Sequence, residues 1–198
     1  LFMSITKLFV AITIAQLVFK RKLLYSDKII EFYPSYEYDD ITIQDVLEHK
    51  TGLSSEWSID YSNNKKHRSY VMTLKRISNN KSFEYNNYTY DILCNIIEKV
   101  TNCKVEKYIG DIFFNKYNIN GGVYGGFGLG IPTDQVFKLP YLMDFLKSIN
   151  YDNIKNYIGH SGSGGQFMYF TKQFDKFIFL ANTGGEPFKD EFKPDDII

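Results

Sequence analysis

The sequence predicts an α+β fold, with helices through most of the chain and a β-hairpin close to its end. Apolar residues recur at helical spacing in residues 90–100. The last part of the chain instead contains two strand-like runs rich in Phe and Tyr, residues 166–171 and 175–181, on either side of a tight turn. Helices followed by a hairpin are typical of an α+β protein.

The helices near the start of the chain are predicted from an apolar run and a capping pattern. The first helix is expected over residues 4–19, because the basic cluster at residues 20–22 suits a helix C-terminus. Thr42 followed three residues later by Asp45 resembles a capping box and predicts a second helix start. Gly52 is the expected stop of that helix.

The middle of the chain is predicted to be mostly helical. Further helices are expected over residues 67–77, 90–100 and 105–114. Residues 83–87 are typical of a turn. Residues 120–130 contain too much glycine for a helix. A helix-like pattern then continues from residue 133 to residue 146, with Pro140 as a kink or break.

Composition excludes several classes of function. The chain has 198 residues, the size of one domain. Its 23 basic residues equal its 23 acidic ones, which argues against binding to nucleic acid or to an anionic membrane. Cys94 and Cys103 are too few for a disulfide scaffold or a four-cysteine zinc site, and their pairing is left open. His49 and His67 have no partner at ligand spacing, so no metal site is expected.

The apolar run at residues 8–19, LFVAITIAQLVF, requires its own interpretation. It is too short to cross a bilayer, and no small-residue cleavage site follows it. A buried helix is therefore the prediction, and a membrane-anchored helix is the alternative.

Ser4 and Lys7 form the first candidate catalytic pair. Their spacing puts both side chains on one face of a helix. A serine hydroxyl is a poor nucleophile until a neighbouring group takes its proton, and a buried lysine can have its pKa lowered enough to do so. The start of a helix also offers backbone N–H groups where an oxyanion would form. Taken alone, the pair fits an N-cap serine beside a surface lysine better than a catalytic pair.

Two further segments carry candidate groups. Tyr85 and Asn87 lie two positions apart on the predicted turn. A tyrosine beside a lysine can serve as a general base, and an asparagine amide can orient the lysine or a substrate carbonyl. His160, Ser161 and Gly162 lead towards the hairpin, where a strand N–H could complete an oxyanion hole. Their structural interpretations are an Asx-rich turn and a glycine-rich loop with an exposed histidine.

In this order, the motifs resemble those of the serine β-lactamase and penicillin-binding-protein superfamily, in particular its class C-like branch of esterases, D-amino-acid peptidases and β-lactamase-related proteins. Residues 2–7, FMSITK, resemble the nucleophile helix of that branch. Residues 41–53, ITIQDVLEHKTGL, are similar to the segment that the branch usually writes ITIRDLLTHTSGL. Residues 83–101 resemble its Y-S-N turn with the following helix, residues 159–165 its GHSG-x-x-G loop, and residues 179–182 its closing strand.

The resemblance implies a role for each matched side chain. Ser4 would be the acylated nucleophile, and Lys7 would accept its proton. Tyr85 would be the general base, and Asn87 would hold Lys7 and the substrate amide. His160 would take the place of the lysine in the family's Lys-Thr-Gly motif.

The resemblance also implies how substrate would be bound. The backbone N–H groups of Ser4 and Ser163 would form the oxyanion hole, and Ser161 and Gly162 would contact the substrate. The implied reaction is a two-step hydrolysis of an ester, amide or β-lactam through an acyl-enzyme, with a small-molecule or peptide-like substrate. No metal and no cofactor are expected.

The implied fold is β-lactamase/transpeptidase-like, an antiparallel sheet flanked by helices. It would form one domain over residues 1–198, with a helical part at about 4–150 and a terminal loop and hairpin at about 157–182. Family members carry strands before the nucleophile and a longer span between Asn87 and His160. We therefore expect a reduced form with the early strands absent and the middle lobe shortened, in a chain that is a fragment. The alternative is a catalytically inactive binding or scaffold protein.

Overall fold

A computed structural model describes residues 3–55, 68–124, 128–130, 138–149, 157–162, 166–171 and 177–180. The helices in these residues are α1 (Thr6–Phe19), α2 (Ile29–Phe32), α3 (Ile43–Leu47), α4 (Tyr90–Thr101), α5 (Val105–Phe113) and α6 (Tyr141–Ser148). Short 3₁₀ turns cover Met3–Ile5, Val71–Thr73 and Asn115–Tyr117. The strands are β1 (Gly122–Tyr124), β2 (Gly128–Gly130), β3 (Tyr157–Gly162), β4 (Gln166–Thr171) and β5 (Phe177–Leu180).

The described strands form two antiparallel sheets. Strands β1 and β2 pair with each other in the glycine-rich segment, for which the sequence excluded a helix but did not predict strands. The terminal sheet has the strand order β3-β4-β5. The predicted hairpin of β4 and β5 is confirmed, and β3 adds a third strand to it through pairing of residues 157–162 with residues 166–171.

Helix α1 lies at the centre of the protein. Its side chains are buried on every face, including Phe9, Ile12 and Ile14, each with no exposed surface. A helix that is apolar all round needs a covering of protein on all sides. Helices α4 and α5 supply part of that covering by packing against α1. In the part of the chain that the structure describes, we find no helix with both the length and the apolar character needed to span a membrane.

The capping box predicted at the start of α3 is confirmed. The Thr42 hydroxyl accepts from the Asp45 N–H at 3.1 Å, and the Asp45 carboxylate accepts from the Thr42 N–H at 2.9 Å. The helix ends at Leu47, before the predicted stop at Gly52. The reason is that His49 already takes a left-handed conformation, with φ of 55°.

The predicted helix over residues 67–77 is correct only in its first part. Residues 68–70 are helical and run into the 3₁₀ turn Val71–Thr73, after which the chain is not helical. The backbone there pairs with an earlier segment: the Ser54 N–H donates to the Lys75 carbonyl at 2.8 Å, and the Ile77 N–H donates to the Gly52 carbonyl at 2.9 Å. These bonds use the backbone groups that a longer helix would need.

Two other expectations, and the pairing of the cysteines that was left open, meet a definite outcome. The first helix begins at Thr6, because residues 3–5 form a 3₁₀ turn instead. Pro140 is the N-cap of α6, where its missing N–H costs no hydrogen bond; the start of the predicted helix, residues 133–137, lies outside the described residues. Cys94 and Cys103 are both free.

Candidate active site

The start of α1 brings Ser4 and Lys7 together. Ser4 lies in the 3₁₀ turn Met3–Ile5, and Lys7 lies in the first turn of α1. Because residues three apart on a helical segment are neighbours, the Lys7 Nζ reaches the Ser4 Oγ and donates to it at 3.2 Å.

Lys7 is fully buried, with no exposed surface. Its Nζ also donates to the Asn87 Oδ1 at 3.1 Å. Burial lowers the pKa of Lys7 from 10.5 to about 8, against the smaller opposing influence of Asp91 and Cys94. An amine with this pKa is unprotonated in about a tenth of the molecules at pH 7, far more often than an ordinary lysine. It can therefore act as a base toward Ser4.

Tyr85 completes the contacts of the Ser4 hydroxyl. Its phenol donates to the Ser4 Oγ at 2.9 Å, across 81 positions of sequence. Burial raises the pKa of Tyr85 above its ordinary value of 10, although the hydrogen bond with Ser4 acts in the other direction. The phenol is therefore protonated near neutral pH. The Lys7 Nζ lies 5.2 Å from the centre of its ring.

Asn86 holds the turn that carries Tyr85 and Asn87. It is 2% exposed, and its side-chain amide donates to the carbonyls of Leu53 and Ser54, at 3.0 Å each. Its Oδ1 accepts from the backbone N–H of Tyr88 at 2.9 Å. With Asn86 anchored in this way, Tyr85 on one side of it reaches Ser4, and Asn87 on the other side reaches Lys7.

The terminal sheet lies beside the 3₁₀ turn that carries Ser4. Strands β3 and β4 both pack against Met3–Ile5. His160, Ser161 and Gly162 belong to β3, where His160 pairs with Met168. The predicted loop at these residues is therefore wrong, because their backbone groups are paired with β4. The structure describes the backbone of these three residues.

One part of the predicted site, Ser163 as the second N–H donor expected for the oxyanion hole, lies outside the described residues. Within the described residues, no three or more His, Cys, Asp or Glu side chains are grouped as a metal site would require.

Sequence reasoning did not identify Asn86 and His49 as residues that shape the site. Asn86 stands between the two candidates on the turn and was interpreted only as part of an Asx-rich sequence. His49 was considered only as a metal ligand. The sequence predicted a helix that continues through His49 to Gly52, so it gave no signal for this role.

Comparison with known proteins identifies the family and the fold. The family model described as Beta-lactamase matches residues 1–121, a range that includes Ser4, Lys7, Tyr85 and Asn87. Comparison with curated protein sequences gives no significant match.

Several solved structures are similar to this one. The penicillin-binding protein of Bacillus halodurans has a TM-score of 0.69 at 15% identity, over 91% of this chain and 81% of that chain. FmtA of Staphylococcus aureus has a TM-score of 0.68 at 19% identity, over 94% of this chain and 71% of that one. A class C beta-lactamase of Rhodobacter sphaeroides has a TM-score of 0.52 at 18% identity, over 69% of this chain and 38% of that one.

At these identities the similar structures establish the fold, which is β-lactamase/transpeptidase-like as the sequence predicts. The family model covers more than half of the chain. The chain therefore belongs to the beta-lactamase family.

Proposed function

We propose that the protein is a serine hydrolase that forms an acyl-enzyme on Ser4, with an ester, an amide or a β-lactam as its substrate. The observation that carries this proposal is the burial of the Lys7 amine between the Ser4 Oγ at 3.2 Å and the Asn87 Oδ1 at 3.1 Å. A buried amine with a lowered pKa beside a hydroxyl is the arrangement that activates a serine nucleophile.

In the first half-reaction, the Ser4 Oγ attacks the substrate carbonyl carbon and its proton passes to the neutral Lys7 amine. The carbonyl oxygen becomes an oxyanion, for which we propose the backbone N–H groups of Ser4 and Ser163 as donors. Tyr85 then gives its proton to the leaving atom as the bond from that atom to the carbonyl carbon breaks. Its raised pKa suits this role, because the phenol carries a proton to give.

In the second half-reaction, water attacks the acyl carbon and its proton passes to the Tyr85 phenolate. The Ser4 Oγ leaves and takes back a proton from the Lys7 ammonium, so that all three groups return to their starting states. The general-base role inferred for Tyr85 from the family resemblance thus belongs to this step. The ammonium of Lys7, close to the Tyr85 ring, stabilises the phenolate between the two half-reactions.

Other groups of the proposed site bind rather than transfer protons. Asn87 holds Lys7 through its Oδ1, and its amide nitrogen would donate to a substrate carbonyl. We propose that His160, Ser161 and Gly162 on β3 contact a small-molecule or peptide-like substrate. The single-domain organisation and the reduced form of the fold remain predictions.

Covalent labelling tests the acyl-enzyme directly. We expect intact-protein mass spectrometry to find one adduct after treatment with a fluorophosphonate or a labelled penicillin, because the Ser4 hydroxyl has Lys7 beside it as a base. Ser4→Ala should give no adduct. Ser148→Ala, at the end of α6, is the matched control and should be labelled like the wild type.

Failure of the wild type to form an adduct, under conditions that label an active relative, would contradict the proposal. It would favour the alternative, a non-catalytic binding protein.

A further inference from the structure

His49 takes a backbone conformation that glycine usually occupies, which directs attention to its side chain. Helix α3 ends in a Schellman motif, in which the His49 N–H donates to the Val46 carbonyl at 3.2 Å and the Lys50 N–H to the Asp45 carbonyl at 2.7 Å. His49 occupies the left-handed position of this motif, with φ of 55°. Glycine is usual there, since a Cβ is sterically unfavourable in this conformation. An observed backbone outlier justifies a search for a function.

The backbone and the side chain of His49 bind on either side of Tyr85. Its carbonyl accepts from the Glu84 N–H at 2.8 Å, and its Nδ1 accepts from the Asn86 N–H at 3.2 Å. The residues before and after Tyr85 are thus both held by His49. Because Nδ1 accepts, the bonded imidazole carries no proton on that nitrogen.

The imidazole ring also supports the phenol ring. His49 is 6% exposed, and its ring centre lies 4.6 Å from that of Tyr85 and 5.1 Å from that of Tyr90. Tyr90 is itself fixed, since its hydroxyl donates to the Leu47 carbonyl at 3.0 Å. The end of α3, the start of α4 and the Tyr85 turn therefore meet at this one ring.

We propose that His49 is a positioning residue that holds the Tyr85 phenol on the Ser4 hydroxyl through its Nδ1 bond to Asn86 and its ring contact with Tyr85. The proposal rests on the proposed function, because it names a residue that acts on the acylation step through Tyr85. A small displacement of a group that takes part in proton transfer is costly, since an error of about 1 Å can slow a reaction roughly 100-fold.

Two substitutions separate the side chain from the backbone conformation. His49→Gly keeps the left-handed conformation but removes both the acceptor and the ring. His49→Asn also tolerates that conformation, and its side-chain oxygen can accept from the Asn86 N–H in place of Nδ1. Asn102→Gly is the matched control, because Asn102 has φ of 51° at the end of α4 and is not part of the site.

Two measurements are made on each variant, and circular dichroism confirms that each variant is folded. The first is the maximal rate of Ser4 acylation by a labelled penicillin, whose leaving nitrogen takes the proton that Tyr85 gives. We expect a fall of roughly 10- to 100-fold for His49→Gly, recovery to within about tenfold of wild type for His49→Asn, and no change for Asn102→Gly. The second is the ¹³Cζ resonance of Tyr85 in tyrosine-labelled protein, assigned with Tyr85→Phe. It should shift in His49→Gly and remain near its wild-type position in Asn102→Gly.

The outcomes distinguish the two proposals. If folded His49→Gly keeps both the labelling rate and the Tyr85 resonance, or if His49→Asn is as slow as His49→Gly, the positioning role is wrong. If His49→Gly fails to fold, His49→Asn supports the role by keeping the rate and the resonance and overturns it by losing either. If the wild type is not labelled, the acyl-enzyme proposal fails, while the resonance still tests the contact between His49 and Tyr85.

Discussion

Lys7 is the residue on which the chemistry of the site depends. A lysine with no exposed surface is unusual, because burial disfavours the charged amine. Here burial has the largest influence, Asp91 and Cys94 oppose only part of it, and the pKa falls to about 8. The lowered pKa is useful, since it places the change of charge close to physiological pH.

The rate of Ser4 labelling should therefore depend on pH through Lys7. Because only the neutral amine accepts a proton, we expect the rate to rise about tenfold per pH unit below pH 8 and to level off above it. Fluorophosphonate labelling between roughly pH 6 and 9.5 measures this, with Ser4→Ala as the blank. The pKa of Tyr85 is raised above 10, so its ionisation lies outside that range.

Lys7→Arg is the matched variant for the pH profile. Its guanidinium keeps a positive charge at every pH used, so the rising arm should disappear and the rate should stay low. A wild-type rate that is flat, or that falls as the pH rises through 8, would show that Lys7 is not the base.

Among the elements, the turn that follows α3 has a strict steric requirement at Gly52. Gly52 has φ of 63°, and its carbonyl accepts from both the Ile77 and the Ser78 N–H groups, at 2.9 and 3.2 Å. A Cβ at this position would overlap the carbonyl of Ser78. Only glycine fits this approach of two backbones, which holds residues 77 and 78 against the segment that follows α3.

Two glycine substitutions should have opposite effects on stability. Gly52→Ala should lower the free energy of unfolding by more than about 2 kcal/mol, because it combines a clash with a strained φ. Gly110→Ala, in α5, meets nothing within 4 Å and should raise it by about 0.5–1 kcal/mol. Urea unfolding followed by circular dichroism measures both. Equal effects of the two substitutions would contradict the steric account of Gly52.

In the whole molecule, the site forms where two parts of the fold meet. The helical part supplies Ser4, Lys7, Tyr85 and Asn87, and the terminal sheet packs its strands β3 and β4 against the turn Met3–Ile5. Met168 on β4 is fully buried and pairs with His160 on β3. Packing at Met168 should therefore influence both stability and the position of β3.

Met168→Ala should lower the free energy of unfolding by about 2–5 kcal/mol, as expected for a cavity in a core, and should slow Ser4 labelling in the folded protein. Met168→Leu keeps the volume and should cost less than about 1.5 kcal/mol. Thermal or urea unfolding together with labelling kinetics tests both effects. A Met168→Ala variant as stable as wild type would mean that the terminal sheet contributes little to the core.

Local patterns were sufficient for much of the secondary structure. Helix α4 follows from its apolar spacing, the start of α3 from the Thr42 and Asp45 pattern, and the pair β4 and β5 from its aromatic runs. Prediction failed where another segment, distant or nearby, takes up the backbone hydrogen bonds. Residues 74–77 leave the helix to pair with residues 52–54, and residues 160–162 pair with β4 instead of forming a loop.

The order and spacing of the motifs were enough to indicate the family and to name the candidate residues, because those are properties of neighbouring positions along the chain. Only the folded structure shows that Lys7 is buried and that Ser4 contacts Tyr85. Only the folded structure shows that His49 accepts hydrogen bonds from the residues on either side of Tyr85. A lowered pKa and a hydrogen bond across 81 positions depend on what surrounds a group in space, and residue spacing along a chain does not specify those surroundings.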